Sequence, residues 1–568
     1  VEALFKKCDL FSDEKCKDVA FAAFLESEEI CRATNSRLDS FFQLDPSDWI
    51  RQKVERMEEI INHTLGPTGP FLAELPQLIR ITNGATAAHP RSSSGGAERV
   101  KRTMYATKRS HPYLAAISAF WGYKYNFRII HHNRVELVPK NWKTHRTIAC
   151  EPEGNIALQL AFDTYCKRKL RRRLNTDLSD QSRNQRLALE SSVHGKLCTV
   201  DLKAASDRLS LNVVHLLFSR EWVDFFLDTR SPCWKNADGN LVPYHKLSSM
   251  GNGYTFTIET LVFAAACKSI GSKHFSVYGD DIVIETELYE PLVDLLSYLG
   301  FEVNQEKSHV GSPAVDTERF VSSPLENGRF SDAMEGLKRE IAFTFSEASG
   351  HHHIPSEGNV REGSSDELAS WLGGVIVQCI QRQDTPASAY GCYRESCGVH
   401  AFGGFVITPL FLRSLSTKRD LILFMNNIMS FGSLGGSLWE YASRLIAKLN
   451  LPLGPPVLDT AACVFIDVYD CYRLGLIRTF PEGKGFGPWQ PAFRALVPKS
   501  KDRRCYDSRA LFLWFTNRRN NPYESSRHSL GTLKYRSKWV RYRPVMADIV
   551  GGSVRLYWWT EMVLARKG

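Results

Sequence analysis

Two acidic strand ends carry residue types suited to chemistry. Asp201 closes the apolar run Leu197 to Val200, and Asp280-Asp281 lie between two β-type runs, His274 to Tyr278 and Ile282 to Glu285. An acid at the end of a buried strand is costly unless a cation or a hydrogen-bond network compensates it. Three such acids converging would make a divalent-metal site, because hard Mg²⁺ prefers carboxylate oxygens and is usually held by one or two of them plus substrate phosphates. Two such ions about 3.5 to 4 Å apart can activate an attacking hydroxyl and stabilise a leaving phosphate oxygen in an in-line displacement. On its own, Gly279-Asp280-Asp281 reads as readily as a polar hairpin turn; its surroundings favour the chemical reading.

A triphosphate also needs cations, and Lys140, Lys143 and Arg146 recur every three residues along a turn led by Pro139. Alone, such a triplet is most often solvated surface. Gly251-Asn252-Gly253, placed before a helix, would let the backbone approach a ligand closely and offer an amide for hydrogen bonding, although a plain helix start has equal standing. No GxxxxGK[ST] occurs, and the glycines of Glu482 to Gly487 lack its strand-to-helix setting, which disfavours a P-loop NTPase. Cys392, Cys397 and His400 have the nearest zinc-like spacing but lack a second half.

These residues need elements to position them. Leu197 to Leu202 reads as a short buried strand, and Leu209 to Leu227 as a helix behind it. Asp238-Gly239 punctuates a hairpin, a long apolar helix follows Gly253 to about Lys268, and the two β runs around Gly279-Asp280-Asp281 form a hairpin with carboxylates at its tip. Leu288 to Leu299 is a helix stopped by Gly300, and Phe301 to Asn304 a further strand leading to Lys307. This order predicts an α+β layer with helices on one face of an antiparallel sheet. Upstream, Asp45 or Ser47 should cap a helix whose apolar face is Trp49, Val54, Met57, Ile60 and Ile61. Arg134 to Val138 alternates like a strand, and Ile156 to Arg173 is helical with cations at its C-terminal end. From about Leu410 the chain reads as helical, then irregular and aromatic-rich, in a separate lobe.

The 568 residues are 43% hydrophobic and 24% charged, ordinary globular usage that excludes a mostly disordered or coiled-coil chain. A net charge of +10 favours a polyanionic partner. Fourteen irregularly spaced Cys are too sparse for a disulfide scaffold and suggest reduced thiols. The apolar stretch Thr255 to Cys267 is broken by Glu259 and too short to span a membrane. The charged opening residues lead us to expect no secretory start, and a first residue of Val leads us to expect a short missing N-terminal piece.

Tyr278-Gly279-Asp280-Asp281 between β runs resembles motif C of viral RNA-dependent RNA polymerases. Further strings, in the same order, resemble the replicase catalytic subunit of the positive-strand RNA bacteriophages, the leviviruses. They are Val138-Pro-Lys-Asn-Trp-Lys-Thr-His-Arg146 with Glu151-Pro152, Asp180-Gln-Ser-Arg-Asn-Gln-Arg-Leu-Ala188, Thr199-Val-Asp-Leu-Lys-Ala-Ala-Ser-Asp207, Ser249-Met-Gly-Asn-Gly-Tyr-Thr-Phe256 and Tyr393-Arg-Glu-Ser-Cys-Gly398. The resemblance spans about 134 to 310 and 390 to 413. It implies a right hand of fingers, palm and thumb: residues 1–195 as N-terminal region and fingers, 196–310 as palm with part of the fingers, 389–413 as a palm/thumb hairpin, and 414–568 as thumb and C-terminal region.

The same resemblance implies roles. Asp201, Asp280 and Asp281 would hold two Mg²⁺, with Mn²⁺ as a substitute. Lys140, Lys143 and Arg146 would hold the incoming triphosphate. Asp207 and Asn252 would sense the ribose 2′-OH, with Ser249 and Gly251 in the same loop. Lys307 would protonate the departing pyrophosphate, and Tyr393 and Arg394 would lie in the hairpin that grips the primer. The implied partners are template RNA, NTPs, host elongation factors Tu and Ts and an RNA-binding ribosomal protein, in the cytoplasm of the bacterial host. One departure is the 77-residue stretch Ser312 to Ser388, within an insertion at 311–388, where the family has a compact connection; it reads as a surface insertion with a helix at Glu367 to Ile380. The rival readings are a reverse transcriptase-like polymerase, a non-catalytic RNA-binding protein and a two-metal nuclease.

Overall fold

The structure is a computed structural model. It describes residues 14–311 except 83, 90–102, 123–125, 141–143 and 237, then 392–408 and 418–429, and beyond these 444, 446–447, 449–456, 462–480, 490–498 and 535–541. Lys143, the 312–388 insertion and the basic run at 499–504 lie outside the described residues.

The first described stretch is helical: α1 (Glu14–Leu38), α2 (Trp49–Leu65) and α3 (Thr68–Leu78). The α2 cap is Asp48, whose side chain accepts from the Arg51 amide at 3.1 Å, and neither Asp45 nor Ser47. Asp45 is already committed, its Oδ1 accepting from the Ser47 amide at 2.8 Å and from the Ser47 hydroxyl. Val54, Met57, Ile60 and Ile61 are buried along α2 as the helical spacing requires, but Trp49, in the first turn, stays 39% exposed.

Next come β1 (Met104–Ala106), α4 (His111–Phe120), β2 (Phe127–Ile129), β3 (His132–Pro139), β4 (His145–Cys150), α5 (Glu153–Arg173) and α6 (Ser182–His194). The central part holds β5 (Leu197–Val200), α7 (Leu211–Leu217), α8 (Arg220–Thr229), β6 (Cys233–Lys235), β7 (Leu241–Pro243), α9 (Thr255–Ser269), β8 (Ser276–Tyr278), β9 (Asp281–Glu285) and α10 (Tyr289–Tyr298). The single helix expected over Leu209 to Leu227 is two, because the chain turns extended at Phe218 and Ser219 before α8 begins. The strand expected at Phe301 to Asn304 shrinks to one bridge pair, Leu202 with Val303, and a second pair joins Thr199 to His309.

Two sheets bear on function. One is four-stranded, in the order β4-β3-β6-β7, with β3 and β6 parallel and the other neighbours antiparallel. The other is the three-stranded antiparallel sheet β5-β9-β8. Because side chains alternate along a strand, this second sheet has two different faces. Cys198, Val200, Val277, Ile282 and Ile284 share the main apolar core with α9, of which all but Phe256 and Lys268 are buried. The opposite face carries Thr199, Ser276 and Val283 and meets α6 through Asn184, so helices cover both faces and not one. The fold is mixed helix and sheet.

Beyond the insertion, β10 (Tyr393–Ser396), β11 (Val399–Phe402) and β12 (Phe405–Val406) form an antiparallel meander that docks on β5 and α6. Further on lies α11 (Lys418–Met429). The region expected to be irregular contains an antiparallel sheet of β13 (Ile477–Phe480), β14 (Gln490–Pro498) and β15 (Tyr535–Arg541). Among the described residues no helix is long and apolar enough to cross a membrane.

Candidate functional site

Register brings the acids together. Val200 of β5 pairs with Ile282 of β9, so Asp201, one residue further, arrives where β9 begins at Asp281. Tyr278 pairs with Asp281 across the hairpin, leaving Gly279 and Asp280 as its two-residue turn. Gly279 adopts φ +63°, which glycine enters without the penalty a Cβ would bring. A Cβ there would also run into the Phe256 ring and come 3.3 Å from Glu259 Oε1 of α9, so the turn lies flat on that helix. The Thr260 hydroxyl accepts from the Gly279 amide at 3.0 Å.

Electrostatics mark the cluster. Burial first, and then the Asp201 charge, raises the Asp280 carboxyl above the ordinary aspartate value, with Lys307 and Lys140 opposing. Burial, followed by Asp280, pushes Asp281 up to about 6, against hydrogen bonds from the Cys397 backbone and side chain. Asp201 is held by its neighbours: Lys307 Nζ lies 3.1 Å from Oδ2, and Asn304 Nδ2 donates to Oδ2 at 2.9 Å. Burial works against the Lys307 charge, but Asp201, then Glu395 and Asp280, lift its ammonium above the usual value. Lys140, at the start of the β3–β4 turn, keeps solvent exposure, yet the protein around it, then Arg146 and Lys307, lower its ammonium, with Asp201 and Asp280 opposing. Two cations from separate elements thus share the field of Asp201 and Asp280.

Among the described residues no three His, Cys, Asp or Glu side chains are drawn tightly enough to ligate an ion by themselves. The acids form an open cluster. This suits a hard divalent cation that keeps waters and shares substrate phosphates. Burial is the largest cause of the raised Asp280 and Asp281 carboxyls, with the neighbouring carboxylates second.

The remaining sequence-predicted residues divide. Gly251 has φ +114°, and a Cβ there would lie 2.5 Å from the Ala149 carbonyl oxygen, so the 249–253 loop presses against β4. The Ala149 amide donates to the Met250 carbonyl at 2.8 Å. Asn252 Oδ1 accepts from the Ser249 amide at 3.0 Å, and its Nδ2 donates to Glu151 at 3.2 Å. Asp207 is paired with Lys246 at 2.9 Å, so the two residues expected to act together on the ribose are not bonded to each other. Arg146 is exposed on β4. Tyr393 packs edge-on to His309 at 4.4 Å between ring centroids, and its hydroxyl meets His400 Nδ1. Arg394 is wholly buried: its guanidinium donates to the carbonyls of Leu197 at 2.9 Å, Tyr393 at 2.7 Å and Gly311 at 2.9 Å. It ties β10 to β5, so within the hairpin its part is to anchor the strand.

Sequence reasoning missed the group that fixes the acidic hairpin. Asn184 of α6, 3% exposed, donates from Nδ2 to the Asp281 carbonyl at 3.1 Å and to Ser396 Oγ at 3.3 Å, and accepts from Ser276 Oγ at 2.6 Å. Gln185 donates to the Cys397 carbonyl at 3.1 Å. Cys397, in the left-handed region at φ +48°, turns the β10–β11 tip toward Asp281. The Asp180 to Ala188 string was the available signal, as a polar pair inside a helix that follows a turn.

Residues 2–315 match the family model described as RNA replicase, beta-chain. The chain belongs to that family. It is 31% identical over 448 residues to the RNA-directed RNA polymerase subunit beta of Enterobacteria phage SP, covering 77% of this chain and 64% of that one. It is 28% identical over 530 residues to the subunit of the same name from Qbeta virus (strain MX1), covering 90% and 75%. The matched stretch therefore spans less than two thirds of the SP relative's length. Among solved structures, the RNA-dependent RNA polymerase of a human picorbirnavirus is similar at 14% identity and a TM-score of 0.24, over 32% of this chain and 42% of that one; a likeness so slight carries no argument.

Proposed function

We propose that the chain is the catalytic subunit of an RNA-directed RNA polymerase that copies phage genomic RNA from NTPs. The observation that carries this is the β5–β9 register, which brings Asp201 to the end of the sheet where Asp280 and Asp281 turn, with Lys307 and Lys140 in the same field. In the reaction the primer 3′-oxygen forms a bond to the α-phosphorus, the bond from that phosphorus to the bridging oxygen of pyrophosphate breaks, and the hydroxyl proton passes to solvent. Asp201, Asp280 and Asp281 would hold the divalent cations. Such ions, when bound, supply charge neutralisation at the attacking and leaving oxygens. Lys140 with Arg146, joined by Lys143, would bind the triphosphate, and Lys307, an ammonium beside Asp201, would deliver a proton to the departing pyrophosphate.

In this reading the β5-β9-β8 sheet is the palm, the β3–β4 hairpin belongs to the fingers, and the C-terminal region forms the thumb. The family membership supports these assignments together with RNA and NTP as substrates. Elongation factors Tu and Ts and an RNA-binding ribosomal protein in the host cytoplasm remain part of the proposal by resemblance. The test is Asp280→Asn, assayed for nucleotide incorporation on a primed RNA template and for RNA binding by filter retention. Incorporation should vanish while binding persists; an active variant would overturn the assignment. NTP against dNTP use separates this reading from reverse transcription.

A further inference from the structure

Lys246 is buried with no exposed side-chain surface, and an ammonium so enclosed is costly unless paired. It is paired twice. Nζ lies 2.9 Å from Asp207 Oδ1 and 3.0 Å from Glu28 Oε1, and it stands 4.1 Å from the centroid of the Phe24 ring, a cation–π position. Glu28 is fixed in turn, because its Oε2 accepts from the His245 amide at 2.8 Å. Asn35, two turns along the same helix, donates to the His245 carbonyl at 2.8 Å, and the Cys31 thiol between them donates to the Asp207 carbonyl at 3.5 Å. The strand segment that carries Lys246 is equally tied. The Leu247 amide donates to the Leu209 carbonyl at 2.8 Å, and the buried Arg230 guanidinium donates to the carbonyls of Lys246 and Leu247.

The effect falls on Asp207. One of its oxygens is committed to Lys246, while Oδ2 takes no hydrogen bond from any described residue, and the side chain keeps 16% of its exposure. A carboxylate is an acceptor only, so this arrangement offers one fixed, unused acceptor. Asn252, which would be the second member of a sugar-sensing pair, is occupied with Glu151. The orientation of Asp207 therefore depends on Lys246 and, through it, on α1, which lies outside the strings that define the reacting centre.

We infer that Lys246, set between Glu28 and Asp207, is a positioning residue for sugar selection: it fixes one oxygen of Asp207 so that the other accepts the 2′-hydroxyl of an incoming ribonucleotide. This rests on the reading of Asp207 as the ribose sensor in a polymerase. A hydroxyl hydrogen bond to a charged acceptor is lost when that acceptor swings away, and the loss falls on ribonucleotides alone. General damage to the fold would instead slow both sugars in proportion.

The experiment is single-nucleotide incorporation on a primed RNA template by the full chain, with kcat and KM measured for ATP and for 2′-deoxyATP. Lys246→Met, similar in length and uncharged, should lower the ATP-over-dATP ratio of kcat/KM by about tenfold or more, through ATP and with dATP little changed. A proportional fall for both nucleotides, or an unchanged ratio, overturns the inference. Asp207→Ala separates the two levels. If it keeps full discrimination, the reading of Asp207 is wrong and the inference goes with it; if it loses discrimination while Lys246→Met keeps it, only the role of Lys246 is wrong. Should the melting curve show that Lys246→Met does not fold, Lys246→Gln retains one amide donor of similar reach. Its ratio should fall by about threefold, and an unchanged ratio there also overturns the inference.

Discussion

Asn184→Ala should disable the acidic hairpin without touching a reacting group. The side chain is 3% exposed and makes hydrogen bonds to three segments: the Asp281 carbonyl, the Ser396 hydroxyl and the Ser276 hydroxyl. Truncation leaves these partners in a cavity from which bulk water is excluded. At about 1 kcal/mol net for each bond, and up to about 3 for a stranded buried partner, the cost is on the order of 3 kcal/mol. Urea unfolding should report it as a lower midpoint with an unchanged slope. The functional cost follows from position. The bond to Asp281 sits at the first residue of β9, where the backbone leaves the Gly279-Asp280 turn, so its loss releases the hairpin tip and not the strand. A displacement of about 1 Å in a reacting group can cost on the order of a hundredfold in rate. Incorporation kinetics should therefore show kcat lowered by about a hundredfold, with the KM for NTP within about threefold of wild type, since Lys140 and Arg146 belong to the β3–β4 hairpin of a different sheet. A kcat within about threefold of wild type, in a variant with the lowered midpoint, would refute the view that α6 positions the acids.

Arg394→Ala should act on stability and leave primer affinity alone: three carbonyls lose their donor, at about 3 to 5 kcal/mol by urea unfolding. A primer affinity that fell sharply in a stably folded variant would show instead that Arg394 acts on the primer. Glu285 should give an acid-sensitive contribution. Burial works against its charge, but hydrogen bonds from Ser272 and from the amides of Lys273 and His274 hold it below the ordinary glutamate value of 4.5. Its stabilisation is therefore present above that value and lost as pH falls through the lowered one. The difference in urea midpoint between wild type and Glu285→Gln should be constant well above the ordinary glutamate value and shrink as pH falls below it; a difference that grew on acidification would contradict the assigned sign.

What the sequence could reveal about this site follows from the range over which its physics acts. Asp201 and Asp280-Asp281 were legible because an acid that ends an apolar strand conflicts with its surroundings locally, and the two-residue turn at Gly279 is written in adjacent letters. The break between α7 and α8 was within reach, since Ser219 followed by Glu221 is a helix-start pattern lying inside an apolar run. The short apolar run Ala492 to Val497, broken only by Arg494, likewise marks a strand that the aromatic composition obscured. The α2 cap was misassigned by a few residues because Asp45, Ser47 and Asp48 are all competent acceptors, and only the turn between the first two shows which of them is spent.

Asn184, Glu28 and Lys246 are of another kind. Their partners lie 97, 217 and 39 residues away, at Asp281, His245 and Asp207. No periodicity or turn chemistry connects positions so far apart, and each residue alone reads as an ordinary polar member of its segment. Their meaning appears only once the sheet register has fixed where the acids stand, because a carboxylate that must be exposed to substrate on one side has to be held from the other. The sequence therefore names groups that react more readily than groups that hold them still, and errors in reading such a site concentrate in the second class. Arg394 shows this from the other side: its place in a motif does not reveal that its buried guanidinium is the donor joining two strands.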